Sequence, residues 1–393
     1  MIPGPRLRSL LAVQERLDAI FGAARQGHGH RLCDLSYANP YDGPDPEVRA
    51  IMRAVLDSDQ PLQLQYTPYG GRPPARRAAA RQLADVHDLP YDWSDVVLTP
   101  GAMSALAITF RCLYERPGDQ VIVVTPCWHD YPAYLEGIGL EAVFVPLTRP
   151  AFDLDCDAIR ARLRHGRVAG VILSQPSNPT GILFSEASLR DLASVLAECP
   201  RAPLLICDEV HRDYVFPPAR MLSPAAFYDR TATIYSFGKS LRIQGQRIGY
   251  VAVSPKHPER QALSGLLRDA CRFTGAGTPT ALMQHALPGL IRHAPRIDGV
   301  HRRREALVAA LRRNGYALAP GEHTYFVYAR SPIADDMLLV ETLAAQGLLV
   351  APGTLFHDPG HVRLSVTASQ QMLDGAIAIF DRFDRRPKAP PRT

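Results

Sequence analysis

The sequence has 393 residues, 46% of them hydrophobic and 21% charged, with 44 Lys and Arg against 39 Asp and Glu and a formal charge of +5. That length supports a large core and predicts more than one domain, and the apolar fraction excludes a wholly disordered chain. The charge is too dispersed for nucleic acid, which needs basic residues gathered on one face. The densest run, Arg302-Arg303-Arg304, falls in a helical pattern and reads as a solvated face. Proline is abundant at 35 residues, against an average usage of about 5%, and without a Gly-x-y repeat this signals fixed turns. The seven cysteines form no C-x-x-C pair and are odd in number, which argues against a disulfide framework or a metal cluster. The opening MIPGPRLRSLLAVQERL is charged throughout, unlike a signal peptide, and no apolar run of about 20 residues could cross a membrane. A cytoplasmic protein is expected.

In chain order, Leu10, Leu11, Val13, Leu17, Ile20 and Phe21 recur at helical spacing and predict a helix over 10–25. A Gly/Pro-rich stretch runs from Asn39 to Pro46, a helix is expected over 47–57, and QYTPYGGRPP at 65–74 reads as loop. From residue 96 short β-rich runs alternate with helical ones: VVLTPG, then 102–115 helical; VIVVTP, then 129–138 helical; then AVFVPL, VAGVILSQP, LLICDEV, ATIYSFGK and IGYVAVSP. This rhythm predicts an α/β fold of βαβ units around a mostly parallel sheet of seven strands between helices. Continuous apolar runs such as VIVV fit strands buried on both faces. A long helical stretch is expected over about 280–314, then short strands (YFVYA, GLLVAPG, VRLSV) and a last helix at 368–383. The expected division is a large domain, 46–284, and a small α+β domain, 285–386, joined by the N-terminal segment 1–45, with a frayed tail at 387–393.

Ligands of such sheets bind beyond the carboxyl ends of the strands, so the residues there carry the functional reading. Gly101, Ala102 and Met103 stand at a strand-to-helix turn whose backbone amides could hold a phosphate. Trp128 follows the next strand and could stack on a flat ring or serve as core. Asn178, in SNPTG, can aim an amide into the site. Asp208 ends the apolar LLIC run, where a carboxylate needs a cation or donor, and could keep a ring nitrogen protonated. Lys239, in SFGKSLRIQGQRIGY, is placed to form a Schiff base if desolvated; Arg247 could grip a phosphate dianion and Ser236 add a hydroxyl. A phosphate, a ring with a basic nitrogen and an aldehyde for an amine together describe pyridoxal 5′-phosphate.

The motifs LSYANP, QYTPYGG, TPGAMSA, PCWHDY, SNPTG, DEVHRDY, SFGKSLRIQGQRIGY and VRLS resemble, in order and over nearly the whole chain, those of the class I/II aminotransferases, pyridoxal-phosphate enzymes of fold-type I. The resemblance implies that Lys239 carries the cofactor and moves the proton at the substrate's α-carbon through external aldimine and quinonoid forms. It implies that Asp208 pairs with the ring nitrogen and Asn178 with the ring hydroxyl oxygen. Trp128 would stack on the ring, while Ala102, Met103, Ser236 and Arg247 would hold the phosphate. Tyr66 would reach the phosphate of a neighbouring subunit, implying a homodimer with shared sites. Arg363 would grip the substrate carboxylate, with Ala38 where the family usually has glycine. His211 stands where the family usually has a tyrosine bonded to the ring hydroxyl, and imidazole can donate there too. An L-α-amino acid and a keto-acid co-substrate are the expected partners. Elimination, replacement or cyclisation on the same fold is the alternative. Side-chain specificity is expected from 37–43, 63–72, His129, Arg242 and Tyr325; Arg242 and Arg72 could meet an acidic side chain, but a surface role is the commoner one for arginine.

Overall fold

A computed structural model of the protein describes residues 5–59, 63–293 and 296–383. The tail expected to fray, 387–393, lies outside the described residues. In chain order the strands are β1 (Cys33–Asp34), β2 (Val96–Thr99), β3 (Gln120–Thr125), β4 (Glu141–Pro146), β5 (Val168–Ser174), β6 (Leu204–Asp208), β7 (Thr231–Ser236), β8 (Gly249–Val253), β9 (Phe326–Arg330), β10 (Leu348–Leu349), β11 (Ala351–Pro352) and β12 (His361–Ser365). The seven runs between 96 and 253 make one sheet in the order β2-β8-β7-β6-β5-β3-β4. Its pairs are parallel except those of β8, which runs against both β2 and β7.

Helices cover both faces of this sheet, so adjacent residues of one strand enter different cores. Val96 and Leu98 join the cluster with Leu83, Tyr235 and Leu287, whereas Val97 joins the one with Leu106, Ile172 and Leu267. Leu205 and Cys207 pack with Leu192 and Phe184, whereas Ile206 faces the opposite side. The period-2 geometry of a strand makes both sets apolar, and each such side chain contributes about 1.5–3 kcal/mol on burial. Helix starts are fixed by side-chain caps: Asp155 accepts from the Ala158 amide, Ser185 from Ser188 and Ser369 from Met372.

The chain ends share a further core. The helix Pro5–His28 buries Leu17 and Phe21 with Leu35, Phe326, Val327, Leu339, Leu364 and Phe380. It also packs on Asp130–Gly137, a helix of the main sheet. Two expectations need correction. The helical stretch over 280–314 is not one helix but two, Ala281–Leu290, which carries Pro288 within it, and Asp298–Arg313. GLLVAPG is not one strand: β10 pairs with β1, and β11 pairs with β12 in a separate β11-β12-β9 sheet. Among the described residues no helix is long and apolar enough to cross a membrane, and no group of three His, Cys, Asp or Glu could hold a metal ion.

Candidate functional site

A cavity of about 850 Å³ opens where the parallel strands end. Asp208 is the last residue of β6, Lys239 stands in the short helix Phe237–Ser240 after β7, and Asn178 and Trp128 come after β5 and β3. Because β8 is antiparallel, its beginning lies at this same edge, so Arg247, two residues before it, arrives beside the others. The wall contains Ala38, Ala102, Met103, Trp128, Asn178, Asp208, His211, Ser236, Lys239, Arg247 and Arg363.

Backbone contact shapes the end beside Arg247. Gly101 has φ +81°, and a Cβ there would meet Arg247 Nη2 at 2.6 Å. A Cβ on Gly249 would meet the Tyr235 carbonyl oxygen and the Gly101 backbone. Gly101 therefore stands behind Arg247 and lets the guanidinium lie across the turn that opens helix Ala102–Leu113. No side chain caps that helix, so its first amides and Arg247 face one place, as anion binding requires. Arg247 Nη1 donates to the Gln244 carbonyl at 2.8 Å, which fixes the group.

Asp208 is only 5% exposed and accepts from the Tyr131 hydroxyl at 2.5 Å and the Val210 amide at 3.2 Å. Burial raises its pKa to about 6, against these two bonds and the nearby Lys239 charge. Lys239 keeps part of its surface open. Its pKa falls to about 8, first through desolvation and then through the Arg363 charge, with Asp208 opposing. The Tyr214 hydroxyl donates to the Lys239 carbonyl at 2.9 Å, and the Tyr325 ring centre lies 6.0 Å from Nζ.

Arg363, on β12, crosses to this edge between two rings, Phe326 at 4.1 Å and Phe356 at 4.5 Å. It donates to Asn178 Oδ1 at 3.0 Å and to the Ser36 carbonyl at 2.9 Å, while its buried Nε has no partner. His211 is 1% exposed, edge-on to Tyr325 and Phe326, and its Nδ1 is unpartnered. Desolvation, then the charges of Lys239 and Arg363, hold its pKa well below the ordinary histidine value, so the ring is neutral. His129 behaves alike, pushed down to about 3, chiefly by burial.

Some predicted residues lie elsewhere. Tyr66 is fully exposed and away from the cavity of its own chain. Arg72 turns to His285 and Gln284, and Arg242 donates to the Arg296 carbonyl, so neither lines the wall. Tyr37, Ala38, Asn39 and Tyr41 do line it, as does His129. Sequence reasoning missed Tyr131 as the partner of Asp208, although it stands in the PCWHDY motif. It also missed the helix face of Gln14, Leu17, Phe21 and Arg25, which forms one side of the cavity.

A half-buried lysine with a lowered pKa, a buried carboxylate, an uncapped helix start and a buried arginine meet on one cavity, an arrangement suited to covalent chemistry on an amine-bearing substrate. The family model for aminotransferase class I and II matches residues 33–380. The chain belongs to that family, whose members are pyridoxal-phosphate-dependent transferases. A probable aspartate/prephenate aminotransferase of Aquifex aeolicus is 28% identical over 347 residues, covering 85% of this chain and 86% of that protein. A histidinol-phosphate aminotransferase of Symbiobacterium thermophilum is 29% identical over 344 residues, covering 87% and 88%. The crystal structure of an amino transferase from Eubacterium rectale superposes with a TM-score of 0.84 at 25% identity, over 97% of this chain and 95% of that one.

The cavity fits the family's cofactor. The side-chain-free cradle at Gly101, the guanidinium of Arg247 and the uncapped helix start suit a phosphate, and the unpartnered Nδ1 of buried His211 suits a ring substituent. Asp208 is a carboxylate with room for a cationic partner on the cavity side.

Proposed function

We propose that this enzyme moves the amino group of an L-α-amino acid to a keto-acid acceptor. The observation that carries the reading is the convergence of Lys239, Asp208, Arg247 and Arg363 on one cavity. Pyridoxal 5′-phosphate, when bound, supplies the electron sink that lets the α-carbon lose its proton. Lys239 would hold the cofactor's aldehyde and would be the base that moves the proton at the α-carbon, work suited to an amine with a pKa of about 8. Asp208, oriented by Tyr131, holds the ring nitrogen in its charged form. Asn178, Trp128 and neutral His211 orient the ring, and Ser236, Arg247 and the amides of Ala102 and Met103 hold the phosphate. Arg363 binds the substrate carboxylate, anchored by Asn178 and the Ser36 carbonyl beside Ala38.

The proposal extends to assembly. Exposed Tyr66 completes the phosphate site of a partner in a homodimer, the division into large and small domains runs along 46–284 and 285–386, and seven free cysteines suit a reducing cytoplasm. Mixing the cofactor-loaded enzyme with a panel of amino acids should convert the visible absorbance to that of the amine form of the cofactor, and a keto acid should restore it. Release of pyruvate or 2-oxobutyrate with no keto acid present would instead assign elimination.

A further inference from the structure

The cations on the cavity wall are Arg25, Lys239, Arg247 and Arg363, and the carboxylates are Asp34, Asp130 and Asp208. In the proposed reaction, on which this inference rests, Lys239, Arg247, Arg363 and Asp208 all have work to do. Arg25 and Asp34 satisfy each other at 3.1 Å, and Asp34 also accepts from the amide and the hydroxyl of Ser36 at 3.0 and 2.5 Å. The two imidazoles of the wall, His129 and His211, are kept neutral and add no charge. One charge is left without an occupation, the carboxylate of Asp130.

Asp130 opens the helix Asp130–Gly137, directly after Trp128 and His129. The helix dipole favours a carboxylate in the first turn, which accounts for an acid there but supplies no counter-ion. Among the described residues Asp130 accepts no hydrogen bond, and the imidazole nearest it, His129 Nε2 at 3.6 Å, is uncharged. Burial raises the Asp130 pKa, and no cation acts against that. Its neighbours fix its place on the wall. The His129 ring lies 6.2 Å from that of Phe356, the ring that backs Arg363, while Tyr134, edge-on to Trp128, is within reach of the charges of both Asp130 and Arg247. Asp130 therefore stands beside Trp128, between the place given to the substrate carboxylate and the place given to the phosphate, where the rest of a bound substrate must lie. Gln14, Tyr37, Asn39 and Tyr41 also line the cavity, and their amides and hydroxyls can bond a polar group of either sign, so they leave the choice to the charge.

We infer that Asp130 selects the substrate by its side chain, preferring an L-α-amino acid whose far end carries an ammonium or guanidinium group to one with a second carboxylate. A distal cation gains the ion pair that the fold withholds from Asp130. A distal carboxylate meets a like charge, and no unengaged arginine on the wall offsets it.

The test uses carboxylates without a reactive amine on the cofactor-loaded enzyme, with binding read by calorimetry. 4-Guanidinobutanoate should bind about tenfold tighter than glutarate, the scale of gaining one half-buried ion pair and avoiding one repulsion. Asp130→Asn, which keeps the shape and removes the charge, should bring the two within about twofold. Pentanoate, which brings no distal charge, should bind both proteins alike, and a loss of its affinity equal to that of guanidinobutanoate would make Asp130 a structural residue and overturn the inference. Glutarate binding as tightly as guanidinobutanoate, through a cation supplied by a partner subunit or otherwise, also overturns it, as does a preference that survives in Asp130→Asn. Binding of none of the three overturns it together with the role given to Arg363. The expected pattern without amino transfer from any amino acid leaves the selection by charge standing and removes the proposed reaction.

Discussion

Asp208 and Glu209 are neighbours in sequence, and both are buried carboxylates, at 5% and 0% exposure. Their surroundings differ in kind. Glu209 faces His87 at 2.7 Å, the Ser223 hydroxyl at 2.9 Å and Arg212 at 3.6 Å. Burial alone would raise its pKa, but His87, Arg212 and Ser223 outweigh that and hold it below the ordinary value. Asp208 has one hydroxyl, one amide and an open cavity, and its pKa rises to about 6. One carboxylate is satisfied by the fold. The other is kept short of positive charge and is ready for a cation that arrives from outside. A strand end sends successive side chains to opposite sides, so two residues of one chemistry acquire two occupations.

The contrast can be broken most strongly at Asp208. Asp208→Ala should lower the rate of the amino-transfer half-reaction by about 10²–10³-fold while leaving the far-ultraviolet circular dichroism unchanged, since it removes preorganised charge rather than packing. Glu209→Gln should do the reverse. It leaves Arg212 buried without its anion and should cost about 3–5 kcal/mol in urea unfolding, as is usual when one partner of a buried pair is lost.

The third expectation concerns the cofactor-free protein. A carboxyl whose folded pKa lies above its unfolded value destabilises the fold once ionised. The penalty is absent below about pH 4, grows toward pH 6 and is full above it, at up to about 3 kcal/mol. Asp208→Asn should therefore raise the melting temperature of the cofactor-free protein at pH 8 and have little effect at pH 4. A pH-independent gain would show that the ionisation is not responsible. The smallest effect is expected at Tyr131. Tyr131→Phe removes a bond that favours the charged carboxylate, so the acid limb of the pH–rate profile should move upward by about one unit, with little loss of rate above it.

Much of this arrangement was legible because its signals are local. The seven runs from VVLT to GYVAV became the seven strands, since burial on both faces demands apolar sequence and the turn residues bound it. Attention to the strand ends collected Asp208, Asn178, Trp128 and Lys239, and the motif that follows Lys239 added Arg247, which the structure brings to the same edge through the antiparallel β8. The hidden parts depend on pairing across the chain. Tyr131 meets Asp208 from 77 positions away, and no periodicity announces that. The helix over 10–25 was evident from its spacing, yet which stripe would face the cavity is decided by the elements it packs on. For Arg72 and Arg242 an acidic substrate group is an option in the sequence but a surface role the commoner one for arginine, and the structure turns them to His285 and to the Arg296 carbonyl.

The links of Arg363 carry a consequence for synthesis. It bonds Asn178, 185 positions earlier, and Ser36, 327 positions earlier. A ribosome delivers the chain from its first residue, so Lys239 and Asp208 emerge well before the arginine that ties the earliest and middle segments together. The half-made protein can build its central sheet, but the place assigned to a substrate carboxylate comes into being only when the last strand is released. Contacts of such long span are slow to form, so capacity to hold substrate should be among the last properties the newly made chain acquires.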